Sequence, residues 1–405
     1  GKRVLPWPLE PGPWPPPTGH CMTNVSIIGI GQTDVREHWE TSIRHLAWYA
    51  IEAALDDAHV NNIDAIYVGN MLAGQLSNQN HLGALVADFA GLRGAEAMTV
   101  EAADASGGAA LRQGILAVQS GLIDTALVVG VEKVTDETGS PILAALATAL
   151  DADYEVIHGQ TLSGAAALLM RRYMHAYGLQ LADFAGFSVN AHANAAGNPR
   201  AMFRNRIKPE GFATAPMVAD PVSLFDEAPA GDGAAAVLLT RADLAGDMVA
   251  QPVRVTASAL ATDTLALHDR RDLLWLPAAE LSAKRALTAA GITPDDIDVF
   301  ELHDSFTVMA ALSLEAVGFA ARGKGWELAR DGQIKRDGRI PISTFGGLKA
   351  RGNPIGATGV YQIVELVQQL RGKAGDCQVP GARIGMAQNL GGTGATAVTH
   401  ILEIE

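Results

Sequence analysis

A strand, a glycine-rich turn and a helix of small residues follow one another twice in this chain. In the first copy an apolar strand leads into Asp104-Ala-Ser-Gly-Gly, and a helix is predicted over residues 106–120. In the second copy the turn at 352–359, Gly-Asn-Pro-Ile-Gly-Ala-Thr-Gly, leads into a helix predicted over 356–370. If the two helices face each other, both N-termini lie near one pocket, where free N–H groups favour an anion or an oxyanion. The repeat therefore predicts two similar halves with chemistry at these turns.

Short β-branched runs alternate with helical segments, which is typical of a parallel sheet covered by helices on both faces. The predicted strands cover residues 25–29, 65–68, 98–102, 125–131, 233–240, 299–302, 383–387 and 396–403, and a further strand begins at 253. The predicted helices cover residues 42–58, 81–90, 106–120, 164–177, 181–196, 278–290, 307–317 and 356–370. We predict an α/β fold with an N-terminal half over 22–250, which includes a loop domain over about 136–232, and a C-terminal half over 251–405.

The first 21 residues are rich in proline, which neither a helix interior nor a central strand accommodates. The prolines are Pro6, Pro8, Pro11, Pro13, Pro15, Pro16 and Pro17. We therefore predict an extended N-terminal arm over residues 1–21, directly before Met22.

Composition excludes several classes of function. A net charge of −14 argues against nucleic acid as a partner, because phosphate binding needs clustered Lys and Arg. No apolar run approaches the roughly 18 residues of a membrane helix. The two cysteines, Cys21 and Cys377, are too few for a disulfide framework or a cysteine metal site. We expect a cytoplasmic protein with no metal, no tightly bound cofactor and no membrane or nucleic-acid partner.

Four polar residues precede or lie in tight turns, namely Asp104, His303, Asn353 and Asn389. His303 follows a buried strand, the usual position of a catalytic side chain in an open α/β sheet, although a hydrogen-bonded core histidine fits equally well. The segment 389–394, Asn-Leu-Gly-Gly-Thr-Gly, lets backbone N–H groups approach a ligand and suits an oxyanion hole. A glycine hairpin is the alternative there.

Asp104 has two interpretations. As structure it is a helix N-cap, whose carboxylate accepts from the N–H two or three residues later. As function it is an acid or base placed against a bound substrate. The glycine-rich loop 346–352 matches no phosphate-binding motif, so nucleotide binding of those classes is disfavoured.

The ordered motifs of residues 22–405 together resemble the thiolase superfamily, in the branch of the sterol-carrier-type thiolases and the archaeal acetyl-CoA acetyltransferases. They are Val-Glu-Ala-Ala-Asp-Ala-Ser-Gly-Gly-Ala-Ala at 100–110, Met-Arg-Arg-Tyr-Met-His-Ala-Tyr-Gly at 170–178, Met-Val-Ala-Asp-Pro at 217–221, Gly-Asp-Gly-Ala-Ala-Ala-Val at 231–237, His-Asp-Ser-Phe at 303–306, Gly-Gly-Leu-Lys-Ala-Arg-Gly-Asn-Pro-Ile-Gly-Ala-Thr-Gly at 346–359 and Asn-Leu-Gly-Gly-Thr-Gly-Ala-Thr at 389–396.

This resemblance implies two similar halves with mixed five-stranded sheets, a loop domain, a homodimer, and Claisen or reverse Claisen chemistry on a CoA thioester. It puts the nucleophilic cysteine of the family at position 104, its first catalytic histidine at 303 and its second at 353. A second cysteine of the family would stand at 389. Ser305, Gly391 and Gly392 would contact the substrate or its oxyanion. Some relatives act as lyases or assemble with a small OB-fold, zinc-ribbon protein.

The chain departs from this pattern at the residues that matter most. Aspartate is a poor nucleophile that would form a strained mixed anhydride, and Asn353 cannot accept and return a proton near neutral pH. Thiolysis through an acyl-enzyme should therefore be absent, since either loss costs orders of magnitude in rate.

Three hypotheses follow. The first is a CoA-thioester acyltransferase or an enzyme that makes or breaks a C–C bond without an acyl-cysteine, with Asp104 and His303 as acid and base. The second is a non-catalytic subunit that binds CoA or holds a partner. The third is a thiolase whose cysteine was exchanged for aspartate by engineering.

Overall fold

Residues 24–60 and 62–404 are described by a computed structural model of the chain. The predicted proline-rich arm, with Cys21, lies outside these residues. Each strand and helix predicted from the sequence is present, with bounds that differ by a few residues. The strands are β1 (Val25–Gln32), β2 (Ala65–Gly69), β3 (Glu96–Val100), β4 (Thr125–Glu132), β5 (Met217–Ala219), β6 (Val222–Ser223), β7 (Gly233–Arg241), β8 (Val253–Thr262), β9 (Val299–Glu301), β10 (Ile384–Gly391) and β11 (Thr396–Glu403).

The α-helices cover both faces of the sheet, and short 3-10 turns connect several of them. The helices are α1 (Ile43–Ala58), α2 (Ala73–Leu76), α3 (Leu82–Phe89), α4 (Ser106–Gln119), α5 (Ser140–Ala147), α6 (Leu162–Tyr177), α7 (Ala185–Ala195), α8 (Pro209–Ala213), α9 (Ala242–Met248), α10 (Pro277–Ala290), α11 (Thr307–Val317), α12 (Gly325–Arg330) and α13 (Thr358–Leu370). None of the helices in the described ranges is long and apolar enough to cross a membrane.

Nine strands form one continuous mixed sheet in the order β3-β2-β4-β7-β1-β8-β11-β10-β9. Among the nine strands of this sheet, as far as the structure describes them, the parallel pairs are β2–β3, β2–β4 and β9–β10. The prediction of a parallel sheet from the alternation is therefore wrong for the centre of the sheet. Two connections explain the difference, because the long segment 133–232 reverses the direction of β7 and the short glycine turn after β10 requires an antiparallel β11.

In the described ranges the N-terminal half supplies five strands to the sheet, as predicted, whereas the C-terminal half supplies four rather than five. Beyond β9 an isolated bridge joins Phe300 to Ile342 in parallel, where a fifth strand would begin. Pro341 has no N–H to continue a ladder at this point. The two halves meet through antiparallel pairing of β1 with β8, which includes Val25 opposite Val255.

The segment between β4 and β7, where the sequence predicts a loop domain, contains α5 to α8 and the small β5–β6 hairpin. Several of its apolar side chains enter the same core cluster as helices α10 and α11 of the C-terminal half. The exact bounds of this domain remain a prediction.

The helices that follow the two related turns, α4 and α13, pack against each other at their N-termini, as the repeat predicts. Glycine permits this contact. A Cβ on Gly107 would lie 2.9 Å from both the Gly356 oxygen and the Val360 nitrogen, and one on Gly359 would overlap the Asn389 side chain and the Gly108 backbone. Side chains larger than hydrogen at these positions would force the two helices apart.

Candidate active site

The turn between β3 and α4 holds Asp104 in a position different from the predicted N-cap. Helix α4 begins at Ser106 after Ala105, and no side chain caps its first N–H groups. The Ser106 hydroxyl instead ties the turn together, since it accepts from the Ala102 N–H at 2.9 Å and donates to the Ala103 oxygen at 2.5 Å. The N-cap interpretation of Asp104 is therefore wrong, and its carboxylate is free to interact outside its own helix.

The Asp104 carboxylate reaches the glycine turn of the C-terminal half. Its Oδ2 atom accepts a hydrogen bond from the Gly392 N–H at 3.0 Å, and the side chain is buried. Burial raises its pKa to about 6; the Gly392 N–H opposes this rise and the Glu101 charge adds to it. The N–H group predicted to bind an oxyanion is thus bound by a carboxylate of the chain itself, which can exchange a proton near neutral pH.

Asn389, at the end of β10, links Asp104 to His303. Its Oδ1 atom accepts from the Gly108 N–H at 3.2 Å, and its Nδ2 atom donates to the Asp104 backbone oxygen at 3.2 Å. These two partners fix the orientation of the amide. The same Nδ2 atom lies 3.0 Å from His303 Nδ1, which must therefore act as the acceptor. The proton of the neutral imidazole consequently resides on Nε2.

His303 is a neutral hydrogen-bond donor in this environment. It follows β9 and is completely buried, and burial lowers its pKa to about 3, with a further contribution from the Arg351 charge. Among the described residues, its Nε2 atom has no hydrogen-bond partner. A buried N–H without a partner costs about 1–3 kcal/mol, so the fold tolerates an unsatisfied donor at this point. Such a donor can bind a developing oxyanion.

Asn353 stands at the second related turn, before α13. Thr358 Oγ1 donates to its Oδ1 atom at 2.8 Å, so the amide N–H groups are what remain for a ligand. Its backbone is anchored to the segment 229–231, because its N–H donates to Pro229 and its oxygen accepts from Gly231. Within the described ranges Asn353 makes no hydrogen bond to Asp104, His303 or Asn389.

Gly391 and Ser305, the other predicted substrate contacts, lie at the end of β10 and in the turn after β9. Gly391 pairs with Thr396 across the β10–β11 hairpin, which confirms the hairpin alternative for this glycine segment. A Cβ on Gly391 would lie 2.7 Å from the Ala102 oxygen, so glycine allows the hairpin to approach the Asp104 turn. Ser305 is buried two residues after His303, and its backbone oxygen accepts from the Ala228 N–H at 2.8 Å.

A group of buried charged residues lies behind His303, and the sequence reasoning missed it. Arg351 Nε lies 2.9 Å from Glu365 Oε1, and the Arg351 guanidinium also lies 4.8 Å from the centroid of the Tyr361 ring. Burial raises the pKa of both Glu301 and Glu365, and the Arg351 charge opposes the rise. The sequence did contain a signal for this group, because Glu301, Arg351 and Glu365 are charged residues within otherwise apolar or glycine-rich segments. Glu301 lies in β9, two residues before His303, and Glu365 lies in α13.

The one cysteine among the described residues lies away from this site. Cys377 is buried and its thiol lies against the Asn194 oxygen, outside the cluster. Within the described ranges, no group of three or more His, Cys, Asp or Glu side chains is arranged to hold a metal ion.

Comparison with known proteins identifies the family. The family model described as "Thiolase, N-terminal domain" matches residues 25–243, and the one described as "Thiolase C-terminal domain-like" matches residues 259–404. The chain belongs to the thiolase superfamily. An acetyl-CoA acetyltransferase of Methanothermobacter thermautotrophicus is 46% identical over 382 residues, which cover 94% of this chain and 99% of that protein.

Two further relatives support the predicted branch and the fold. Sterol carrier protein 2 of Bos taurus is 29% identical over 391 residues, which cover 93% of this chain and 71% of that protein. The solved structure of an "Ltp2-ChsH2(DUF35) aldolase" superposes with a TM-score of 0.81 at 23% identity, over 95% of this chain and 98% of that one. The prediction of a thiolase-superfamily protein related to the archaeal and sterol-carrier-type members is confirmed.

Proposed function

We propose that this thiolase-superfamily protein acts on a CoA thioester, transferring its acyl group or making or breaking a C–C bond by aldol- or Claisen-type chemistry, without a cysteine acyl-enzyme. The observation that carries the proposal is the unpartnered, buried His303 Nε2–H, which Asn389 joins to the turn of Asp104. The names of two relatives, an archaeal acetyltransferase and an aldolase, agree with the two reaction types.

In the aldol direction, the thioester oxygen binds to His303 Nε2–H and the Asn353 amide, which stabilise the negative charge of an enolate. The enolate carbon then attacks an aldehyde or ketone, and the new β-oxygen takes a proton from Asp104. Asp104 suits this step because burial raises its pKa to about 6. His303, with its pKa lowered to about 3, serves as a neutral donor rather than as the acid or base expected from the sequence.

Thiolysis through an acyl-enzyme does not fit these residues. Position 104, which the family resemblance assigns to the nucleophile, carries a carboxylate that is bound to the Gly392 N–H. Asn353 supplies N–H donors but no base. We therefore expect Asp104→Cys to gain no strong thiolysis. Robust cleavage of acetoacetyl-CoA by CoA in that variant would contradict this part of the proposal.

The alternative is a non-catalytic subunit that binds CoA or holds a partner. It is favoured by one observation, namely that the Asp104 carboxylate already occupies the Gly392 N–H. The aldolase of known structure is named together with a DUF35 component, and a small OB-fold, zinc-ribbon protein is the corresponding partner proposed for this chain. In either case we propose a cytoplasmic homodimer that holds no tightly bound cofactor, and in the catalytic case its substrate is a CoA thioester.

The test is to incubate the protein with acetyl-, acetoacetyl- and β-hydroxyacyl-CoA, alone and with an OB-fold partner, and to identify the CoA products by mass. We expect a shorter acyl-CoA and a carbonyl compound from the β-hydroxyacyl thioester, or acyl transfer from the others. Asp104→Asn is the matched variant, since its amide oxygen can still accept from Gly392 but cannot exchange a proton. Absence of any product under all conditions would favour the subunit instead.

A further inference from the structure

A short segment after β6 connects the two turns of the candidate site. The Ala228 N–H donates to the Ser305 oxygen at 2.8 Å, beside His303. One residue later, the Pro229 oxygen accepts from the Asn353 N–H at 2.9 Å. Glu227 precedes these contacts directly, and its backbone forms an isolated bridge with Phe306. The side chain of Glu227 is therefore carried on backbone that touches both the histidine turn and the asparagine turn.

Two other carboxyl groups near these turns, Asp226 and Asp304, accept hydrogen bonds at both of their oxygens. Both oxygens of Asp226 are engaged, one by the N–H and hydroxyl of Ser223 and the other by the Thr307 hydroxyl. Asp304 accepts from the Leu348 N–H at 2.8 Å and from the Ser343 hydroxyl at 3.1 Å. Both carboxyls are buried. Each of their four oxygens accepts at least one hydrogen bond, which gives both carboxyls a structural role.

Glu227 differs from these two carboxyls in its burial and in its hydrogen bonding. Glu227 is half-buried rather than fully buried. Within the described residues its side chain makes one hydrogen bond, which the Ser163 hydroxyl donates to Oε1 at 2.8 Å. Oε2 has no such bond. Ser163 lies in the first turn of α6, so a helix of the loop region fixes the position of Oε1. Burial raises the pKa of Glu227, and the nearby Lys349 charge partly offsets that rise.

The proposed reaction also lacks one group. Asp104 exchanges a proton with the β-oxygen and His303 holds the enolate oxygen, but nothing assigned so far removes the proton from the carbon next to the thioester. Asn353 cannot do so, because an amide accepts no proton near neutral pH. A carboxyl with a free oxygen, on backbone joined to both turns, has the chemistry that is missing.

We propose that Glu227 is the base that removes the Cα proton of the bound acyl thioester, an inference that rests on the proposed C–C chemistry. The proton moves to Glu227 Oε2, and the electron pair of the C–H bond forms the C=C bond of the enolate. The negative charge moves to the thioester oxygen at His303 Nε2–H. In the cleavage direction Glu227 returns the proton to Cα. The step needs no oxidant, reductant or further reactant.

Exchange of the Cα protons in D₂O isolates this step from C–C bond formation. The protein is incubated with acetyl-CoA in D₂O, and deuterium in the acetyl methyl group is followed by mass spectrometry. We expect the unaltered protein to exchange these protons and Glu227→Gln to lose at least about 100-fold in rate, because a positioned base contributes about 10²–10⁴-fold. Glutamine keeps the shape of the side chain and an oxygen for Ser163.

Two controls separate a base from a structural role. Glu210→Gln removes an exposed carboxylate at the start of α8 and should exchange at the unaltered rate. Glu227→Asp keeps a carboxyl one methylene shorter and should retain more exchange than Glu227→Gln. Binding of acetyl-CoA to each variant, measured by calorimetry, should stay within a few-fold.

The proposal would be overturned if Glu227→Gln exchanged at the unaltered rate, or if the unaltered protein showed no exchange. Loss of exchange in Asp104→Asn but not in Glu227→Gln would assign the step to Asp104 instead. Exchange that depends on Glu227 without any C–C product would leave this inference intact and count against the proposed function.

Discussion

The two related turns of this protein place a polar residue before a helix N-terminus in unlike ways. At the first turn, the Asp104 carboxylate leaves its own half of the molecule and binds the Gly392 N–H of the other half. At the second, the Asn353 amide oxygen is held within its own turn by the Thr358 hydroxyl. One turn therefore offers a group that can exchange a proton, and the other offers only N–H donors.

This difference shows that a duplicated unit need not have duplicated chemistry. Both turns keep the glycines that allow α4 and α13 to touch, so their backbones serve the same packing. Their side chains have different roles in the proposed reaction. Asp104 transfers a proton, and Asn353 polarises the thioester.

The largest effect on stability is expected for Gly359→Ala, which affects the packing common to both turns. Its methyl group would overlap the Asn389 side chain and the Gly108 backbone. We expect a loss of about 3 kcal/mol or more in the free energy of unfolding, measured in urea. Gly246→Ala in α9 is the matched control, since a Cβ there meets open space and should stabilise the helix by up to about 1 kcal/mol. Equal stabilities of the two variants would refute the close contact of α4 with α13.

The next largest effect is a pH dependence of stability that we expect from Asp104 at the first turn and not from Asn353 at the second. The pKa of Asp104 rises from 3.8 to about 6 on folding, so its proton is held more tightly in the folded state. The stability that it contributes at low pH is lost as the pH rises from about 4 to about 6, an effect of about 3 kcal/mol. The advantage of Asp104→Asn over the unaltered protein should grow by up to this amount between pH 4 and pH 7. A constant difference in urea unfolding across that range would show that folding does not shift this carboxyl.

The smallest effect concerns the second turn alone. Thr358→Val removes the hydroxyl that donates to Asn353 Oδ1 at 2.8 Å and keeps the volume of the side chain. We expect a loss of about 1–2 kcal/mol in the free energy of unfolding, because the Asn353 oxygen loses its partner. The pH dependence of stability should stay as in the unaltered protein. A change in that dependence would mean that the two turns are coupled through their side chains.

The sequence was sufficient for the elements and the family, because strand and helix periodicity and the glycine motifs are local signals. The directions of the strands were harder to predict from the sequence. β7 runs antiparallel to β4 because the long segment 133–232 lies between them. The fifth strand predicted for the C-terminal half is reduced to a single bridge between Phe300 and Ile342, next to Pro341, and the sequence pattern did not predict this. Both depend on how distant segments meet.

The site was predictable as a set of residues but not as a network. Asp104, His303 and Asn389 do come together, whereas Asn353 stands apart from their hydrogen bonds. The partner of the Asp104 carboxylate is 288 residues away in the chain, so N-capping was the natural local interpretation. The proton position on His303 follows from the three hydrogen bonds of Asn389. These join residues that are far apart in the sequence. Glu227 carries no motif and becomes a candidate only because its backbone segment contacts the turn after His303 and the turn of Asn353.

The most direct test of the division of roles is the pH dependence of kcat/KM for product formation in three proteins. With the unaltered protein in the C–C cleaving direction, where Asp104 acts as the base, kcat/KM should rise with an apparent pKa near 6. Asn353→Ala should be slower by up to about 10²–10³-fold but keep that rise, since it loses only a donor. Asp104→Asn should be about 10²–10⁴-fold slower and lose it. A rise with the same midpoint in Asp104→Asn would contradict the assignment of proton transfer to Asp104.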